Sequence, residues 1–281
     1  MLLKDFLPRP EVREFVRLYR IVHFEFNRSS GTPIKPYPPK IEHVLAFYPR
    51  DMEKAEYVNG SKKINGVRTS LTGQQTDVIQ RQVGHDFLVF QIVFQPGALF
   101  RITGIPSSAL CNEYMDGELI FSSSLRLVNE QLYHAKGYNE MLDIGHRFVG
   151  AILRKRIRDA HPIDIVSQHI LLHMNSNLTA MANEVGLGFK QFERKFKERM
   201  GVMPKLFSRI HRFDQAFCLK NLNPEMDWLT IAIQCGYYDY QHLVRDYKMF
   251  TSMSPNAFHE IEHKSPEHKL GLSHEWYSSR L

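Results

Sequence analysis

Lys190, Arg194 and Lys197 stand at i, i+4 and i+7, and Gln241, Arg245 and Lys248 repeat that spacing 51 residues later. On a helix this spacing gathers three side chains on one face. Long cations and amides displayed together attract phosphates and hydrogen-bond to base edges in a major groove. One such face is ordinarily the solvated side of an amphipathic helix. Two matched copies point instead to DNA reading.

Other spacings with chemical potential lead less far. His259-Glu260-Ile261-Glu262-His263 matches HExxH, in which histidines one turn apart ligate zinc. It follows Phe258, a packing residue, and Ser265-Pro266 soon ends the helix. Glu262 also places a charge where such helices are apolar, so the segment reads as a solvated helix end. His169 and His173 flank Ile170-Leu171-Leu172 and read as helix packing. His23, His43 and His85 lie in strand-rich sequence and converge only if the fold gathers them. No Walker loop, GxGxxG, GxSxG or Cys/His nucleophile pattern occurs. The expectation is a protein that is not an enzyme, with no catalytic residues, metal or cofactor.

The elements that must position the basic faces repeat with them. Ala182, Val185, Gly186 and Leu187 recur as Ala232, Cys235, Gly236 and Tyr237, offset by 50. Phe192, Arg194, Phe196 and Lys197 recur as Leu243, Arg245, Tyr247 and Lys248, offset by 51, and Pro204 and Phe207 recur as Pro255 and Phe258. Each copy has one grammar. A capped short helix carries a small alanine and ends at a glycine able to turn left-handed; a corner residue then leads into a second helix. Lys205 to Leu219 reads as a longer helix connecting the copies.

The first half has a different texture. Glu11 to Arg20 has helical spacing of Val12, Phe15, Val16 and Tyr19, and Ile21 to Phe26 then alternates like a strand. Pro33, Pro36, Pro38 and Pro39 impose a loop or extended segment. Strands are expected at His43–Tyr48, Val67–Leu71, Asp77–Val83 and Phe87–Phe94, and helices at Ala98–Ile102, Ser107–Cys111, Ser124–Ala135 and Glu140–Ile157. The aromatics Phe87, Phe90, Phe94, Phe100, Tyr114 and Phe121 read mainly as core, with an effector pocket as the other use. Arg154-Lys155-Arg156-Ile157-Arg158, before His161-Pro162, reads as a charged helix end at the boundary.

Composition frames these motifs. The 281 residues are 43% hydrophobic, which is globular composition, and 36 Lys and Arg against 30 Asp and Glu give +6. That excess admits nucleic acid without selecting it. Cys111, Cys218 and Cys235 are too far apart for a thiolate zinc finger and suit a reducing compartment. The most apolar run, Phe87 to Phe94, is broken by Gln91 and too short to span a bilayer. No membrane association and a cytoplasmic location are expected.

The stretch Leu178 to Phe258 resembles the DNA-binding domain of the AraC family of transcription regulators. The motifs that carry it are Glu193-Arg194-Lys195-Phe196-Lys197, Met200-Gly201-Val202-Met203-Pro204, Ile231-Ala232-Ile233-Gln234-Cys235-Gly236-Tyr237-Tyr238-Asp239 and Phe250-Thr251-Ser252-Met253-Ser254-Pro255. Phe94-Gln95-Pro96-Gly97-Ala98 and Ile102-Thr103-Gly104-Ile105-Pro106 resemble the N-terminal domain of one branch of that family. The resemblance implies base contacts from Lys190, Glu193 and Arg194 in the first unit and from Tyr240, Gln241, His242 and Arg245 in the second. Lys197 and Lys248 join them on the basic faces. Two residues depart from the pattern: Gly188 stands at the usual Ser/Thr cap, and Ser252 replaces the glycine before the last Ser-Pro.

The expected fold is an α+β N-terminal domain (1–160) that senses an effector or dimerises. It is followed by an all-α domain (161–264) of two helix-turn-helix units joined by a long helix, then a tail (265–281). The expected function is sequence-specific regulation of transcription, modulated through the N-terminal domain. The competing reading is an enzyme whose catalytic N-terminal domain is delivered to DNA. Expected partners are double-stranded DNA, a small-molecule effector and the transcription machinery, with a homodimer admitted.

Overall fold

Alternation within the apolar runs of the first half sets up two antiparallel sheets. The computed structural model describes residues 1–280 apart from 30, 59, 61, 65, 156, 174 and 175; Arg156 of the basic cluster therefore lies outside the described residues. The strands are β1 (Leu2–Phe6), β2 (Val16–Glu25), β3 (Ile34–Tyr37), β4 (Val44–Phe47), β5 (Lys54–Tyr57), β6 (Lys63–Ile64), β7 (Thr69–Thr72), β8 (Ile79–Gln82), β9 (Asp86–Phe94) and β10 (Tyr114–Asp116). Six form a sheet in the order β1-β2-β9-β4-β7-β10, and four a smaller one in the order β3-β8-β5-β6.

Strand β9 shows why its sequence is almost continuously apolar. Phe87, Val89 and Val93 belong to one core and Leu88, Phe90, Ile92 and Phe94 to another, all buried. Alternate side chains point to opposite faces, and both faces are covered. After α1 (Ala98–Thr103) and α2 (Glu118–Phe121), helices α3 (Ser124–His134) and α4 (Tyr138–Leu153) cover the second face through Leu125, Val128, Ile144 and Phe148. The first face shares its core with the helical region that follows.

That region contains α5 (Pro162–Leu172), α6 (Leu178–Glu184), α7 (Phe189–Met200), α8 (Pro204–Leu222), α9 (Trp228–Gln234), α10 (Tyr240–Thr251), α11 (Pro255–His263), α12 (Pro266–Lys269) and α13 (Ser273–Ser278). An α+β region followed by an all-helical one is thus the observed order.

The expected helix at Glu11–Arg20 is absent. Pro10–Val12 makes a short 3-10 turn, and Val16 onward is β2. Val12, Phe15, Val16 and Tyr19 are buried as their spacing requires. Backbone pairing of β2 with β9, from Val16 to Glu25, decides the conformation over helical periodicity. Strands β1, β5, β6 and β10 went unforeseen; all are short, and three lie at sheet edges.

Residues beyond α11 fold back across both regions. Lys35 on β3 lies 2.8 Å from Glu262 on α11 and 3.0 Å from Glu267 on α12. Trp276 lies under the Arg20 guanidinium at 4.4 Å, Tyr277 donates to Glu262, and Arg280 pairs with Asp214 on α8. Trp276 and Tyr277 belong to the same apolar core as Val22 and Phe24 of β2.

Candidate nucleic-acid interface

Two copies of one turn position the basic faces. In the first, Asn177 accepts from the Thr179 and Ala180 N–H groups and starts α6. In the second, Asp227 accepts from Thr230 and starts α9. Both helices then close with a Schellman motif. Gly186 N–H donates to Asn183 and Leu187 N–H to Ala182; Gly236 N–H donates to Ile233 and Tyr237 N–H to Ala232. The two glycines take φ of +67° and +75°, a left-handed turn that a side chain would strain. Ala182 and Ala232 are buried beneath the turns.

The second helix of each copy is divided as its sequence requires. Phe192 and Phe196 on α7, like Leu243 and Tyr247 on α10, are fully buried. Lys190, Arg194 and Lys197 are exposed on α7, and Gln241, Arg245 and Lys248 on α10. Among the described residues, none of these five cations joins an ion pair, although Arg199, Arg209 and Arg212 nearby all do. Glu193 and Tyr240 are half-buried. His242 is also half-buried, its Nε2 3.3 Å from the Arg212 guanidinium and its ring edge-on to Tyr237. Burial and Arg212 together lower its tendency to protonate.

The copies differ at both helix ends. Gly188 supplies no side-chain cap to α7, whereas Asp239 accepts from His242 N–H at 2.6 Å and caps α10. Gly201 ends α7 at φ +92°; Ser252 holds the same left-handed place after α10 at φ +61°.

Two buried acids anchor these helices, and neither stood out in the sequence. Asp164, in the first turn of α5, receives Arg199 of α7 at 2.6 and 2.5 Å and also accepts from His161 N–H. Asp246, fully buried, accepts from Arg209 on α8 at 2.6 Å and lies 3.6 Å from Arg212. A signal for Asp246 existed: it breaks the repeat, standing where the first copy has Lys195. Arg199 likewise stands where the second copy has Phe250.

The remaining histidines occupy different surroundings. His23, Glu25 and Asp86 bring ligand atoms within 4.8 Å, but the Arg50 guanidinium already sits 2.8 Å from Asp86 and 3.1 Å from His23. His43 faces the Met200 backbone, and burial lowers its pKa to about 4. The expected solvated end at His259–His263 is corrected. Glu262 is buried against Lys35 and Tyr277, because the chain beyond α11 folds over it.

A cavity of about 140 Å³ opens between the sheet and the C-terminal helices, with Val22, Phe24, Val89, Lys35, Glu262 and Trp276 in its wall. Phe87 also lines it, whereas Phe90, Phe94 and Phe121 are core. Among the described residues, no helix is long and apolar enough to cross a membrane.

Several solved structures are similar to this chain. The 1.65 Å structure of ToxT from Vibrio cholerae is similar at a TM-score of 0.50 and 12% identity, covering 86% of this chain and 98% of that one. Unsaturated fatty acid-bound ToxT from Vibrio cholerae strain SCE256 gives 0.48 at 12% identity, with coverages of 86% and 94%. The AraC-like transcriptional activator CuxR gives 0.29 at 13% identity, with coverages of 77% and 87%. No curated protein sequence matches the chain. Residues 181–261 match the family model described as a helix-turn-helix domain, so the chain carries an AraC-type helix-turn-helix domain over that span.

Proposed function

We propose that the protein is a sequence-specific, DNA-binding regulator of transcription that reads two successive major-groove segments with α7 and α10. The observation that carries this reading is the pair of matched, exposed faces whose cations have no acidic partner among the described residues. Unpaired cations keep their charge for phosphates, and Arg and Gln can hydrogen-bond to base edges. The connector suits the purpose. Helix α8 has 19 residues, about 28 Å at the usual helical rise, comparable with the roughly 34 Å between successive major grooves.

Modulation through the N-terminal region follows from the same contacts. The first face of the six-stranded sheet shares a core with α8 and α13, and Lys35 grips α11 and α12. A small-molecule effector entering the cavity would sit between that sheet and those helices and alter how the two regions hold each other. Footprinting on a bound fragment tests the two-helix reading. It should show two protected segments on one face of the duplex, about ten base pairs apart. A single protected segment would sink it.

A further inference from the structure

The histidines of the HExxH-like segment form a cluster that DNA reading does not use. His259 and His263 lie one turn apart on α11, and their Nε2 atoms approach to 2.8 Å. On its other side His263 Nδ1 meets His268 Nε2 at 3.0 Å, and His268 Nδ1 meets Ser273 Oγ at 3.4 Å. All three imidazoles are half-buried. Five of their six nitrogens are therefore turned on one another or on one serine. The sixth, His259 Nδ1, is buried and meets no partner among the described residues. Histidines that serve only packing turn their nitrogens to backbone or water, and an orphaned ring nitrogen asks for an explanation.

We propose that His259 and His263 chelate a divalent transition-metal ion through their Nε2 atoms, with His268 as a positioning residue. Two imidazoles at i and i+4 converge on one ion with Nε2 atoms about 3 Å apart, given metal–nitrogen distances of roughly 2.0–2.1 Å. Binding displaces the proton now shared between those atoms, and His259 stays neutral by carrying that proton on Nδ1, the nitrogen that meets no partner among the described residues. His263 Nδ1–H can donate to His268, and His268 Nδ1–H to Ser273, the outer hydrogen bonds that fix a ligating histidine's tautomer and orientation. Imidazole pairs suit zinc, nickel or copper rather than magnesium or calcium.

The site binds and does not hydrolyse. Glu260, where HExxH places its general base, is exposed, and Glu262 is committed to Lys35 and Tyr277. Other clusters are less suited. The rings of His169 and His173 lie 4.2 Å apart, tilted, on an exposed turn with no third imidazole beside them among the described residues, and Arg50 occupies the His23 cluster. An ion at His259 and His263 would stiffen the junction of α11 and α12, whose Glu262 and Glu267 hold Lys35 of the sheet. Metal occupancy would thereby tighten the contact between the two regions.

Calorimetric titration of the chelator-treated full chain with Zn²⁺ or Ni²⁺ tests this. One ion should bind per chain, and His259→Ala or His263→Ala should abolish that binding while far-ultraviolet circular dichroism stays unchanged. His268→Ala should weaken it by roughly tenfold or more. The double variant His169→Ala/His173→Ala should bind as the parent does. In the unsubstituted protein, Zn²⁺ should shift the ring-nitrogen NMR signals of His259, His263 and His268 first. No binding, binding that survives His263→Ala, or first shifts on His169 and His173 would each overturn the proposal.

Discussion

The two helix-turn-helix repeats share a turn and differ in what holds them. In the second, Asp239 caps α10, and Asp246 is gripped by Arg209 and Arg212 from α8. The first is tied outward. Its α7 starts at an uncapped glycine and ends with Arg199 bound to Asp164 and stacked over Phe100, beside His43 of the sheet region. Helix α10 is thus anchored on the connecting helix α8, and α7 on α5 and the N-terminal region. A change in the N-terminal region would reach α7 before α10.

Removing each anchor gives the largest expected effects. Asp164→Ala strands Arg199 in a buried site and should cost roughly 3–5 kcal/mol, read as a fall in the urea midpoint. Asp246→Ala should cost less, about 1–3 kcal/mol, because Arg209 and Arg212 keep some solvent contact and can rehydrate. A larger loss for Asp246→Ala than for Asp164→Ala would contradict this ordering.

Acid should loosen the seat of the first unit on the sheet region, where His43 faces Met200. An imidazole free in water titrates near 6.5, whereas buried His43 takes its proton only near pH 4. The unfolded chain therefore binds this proton first as pH falls. The neutral-histidine contribution is intact above about pH 6.5 and is lost progressively down to about pH 4, up to about 3 kcal/mol. Stability measured across that window should fall more steeply in the parent than in His43→Gln. Equal slopes would contradict the assignment.

On DNA, Arg245→Ala should relax specificity at one half of the site by about 1–3 kcal/mol, whereas Lys248→Ala should weaken specific and random DNA alike. Competition binding reads both, and equal loss on both DNAs for Arg245→Ala would refute its base contact. Smaller still are the helix ends. Ser252→Gly relieves a left-handed serine and should stabilise by up to about 1 kcal/mol. Gly188→Ser adds the missing cap and should gain a few tenths in thermal unfolding.

The repeat was legible in the sequence because local geometry dictates each of its positions. Gly186 and Gly236 turn left-handed, Ala182 and Ala232 let helices approach, and Phe192 and Leu243 must face inward. Asp164 was not, since its partner lies on another helix and leaves no spacing, and Asp246 showed only as a break in the repeat opposite Lys195. The grip of Lys35 on Glu262 joins residues 227 positions apart, so nothing in either segment announces it. The strand at Val16–Arg20 was hidden for a related reason. Its pattern fits a helix, and only pairing with β9 selects the alternative.

Both basic faces are expected to read DNA. Selection of bound fragments from random duplex DNA, repeated with Arg194→Ala and Arg245→Ala, tests it most directly. The parent should recover one motif with two conserved blocks about one helical turn apart, and each variant should lose information in a different block. Recovery of no shared motif, or loss from the same block in both variants, would contradict it.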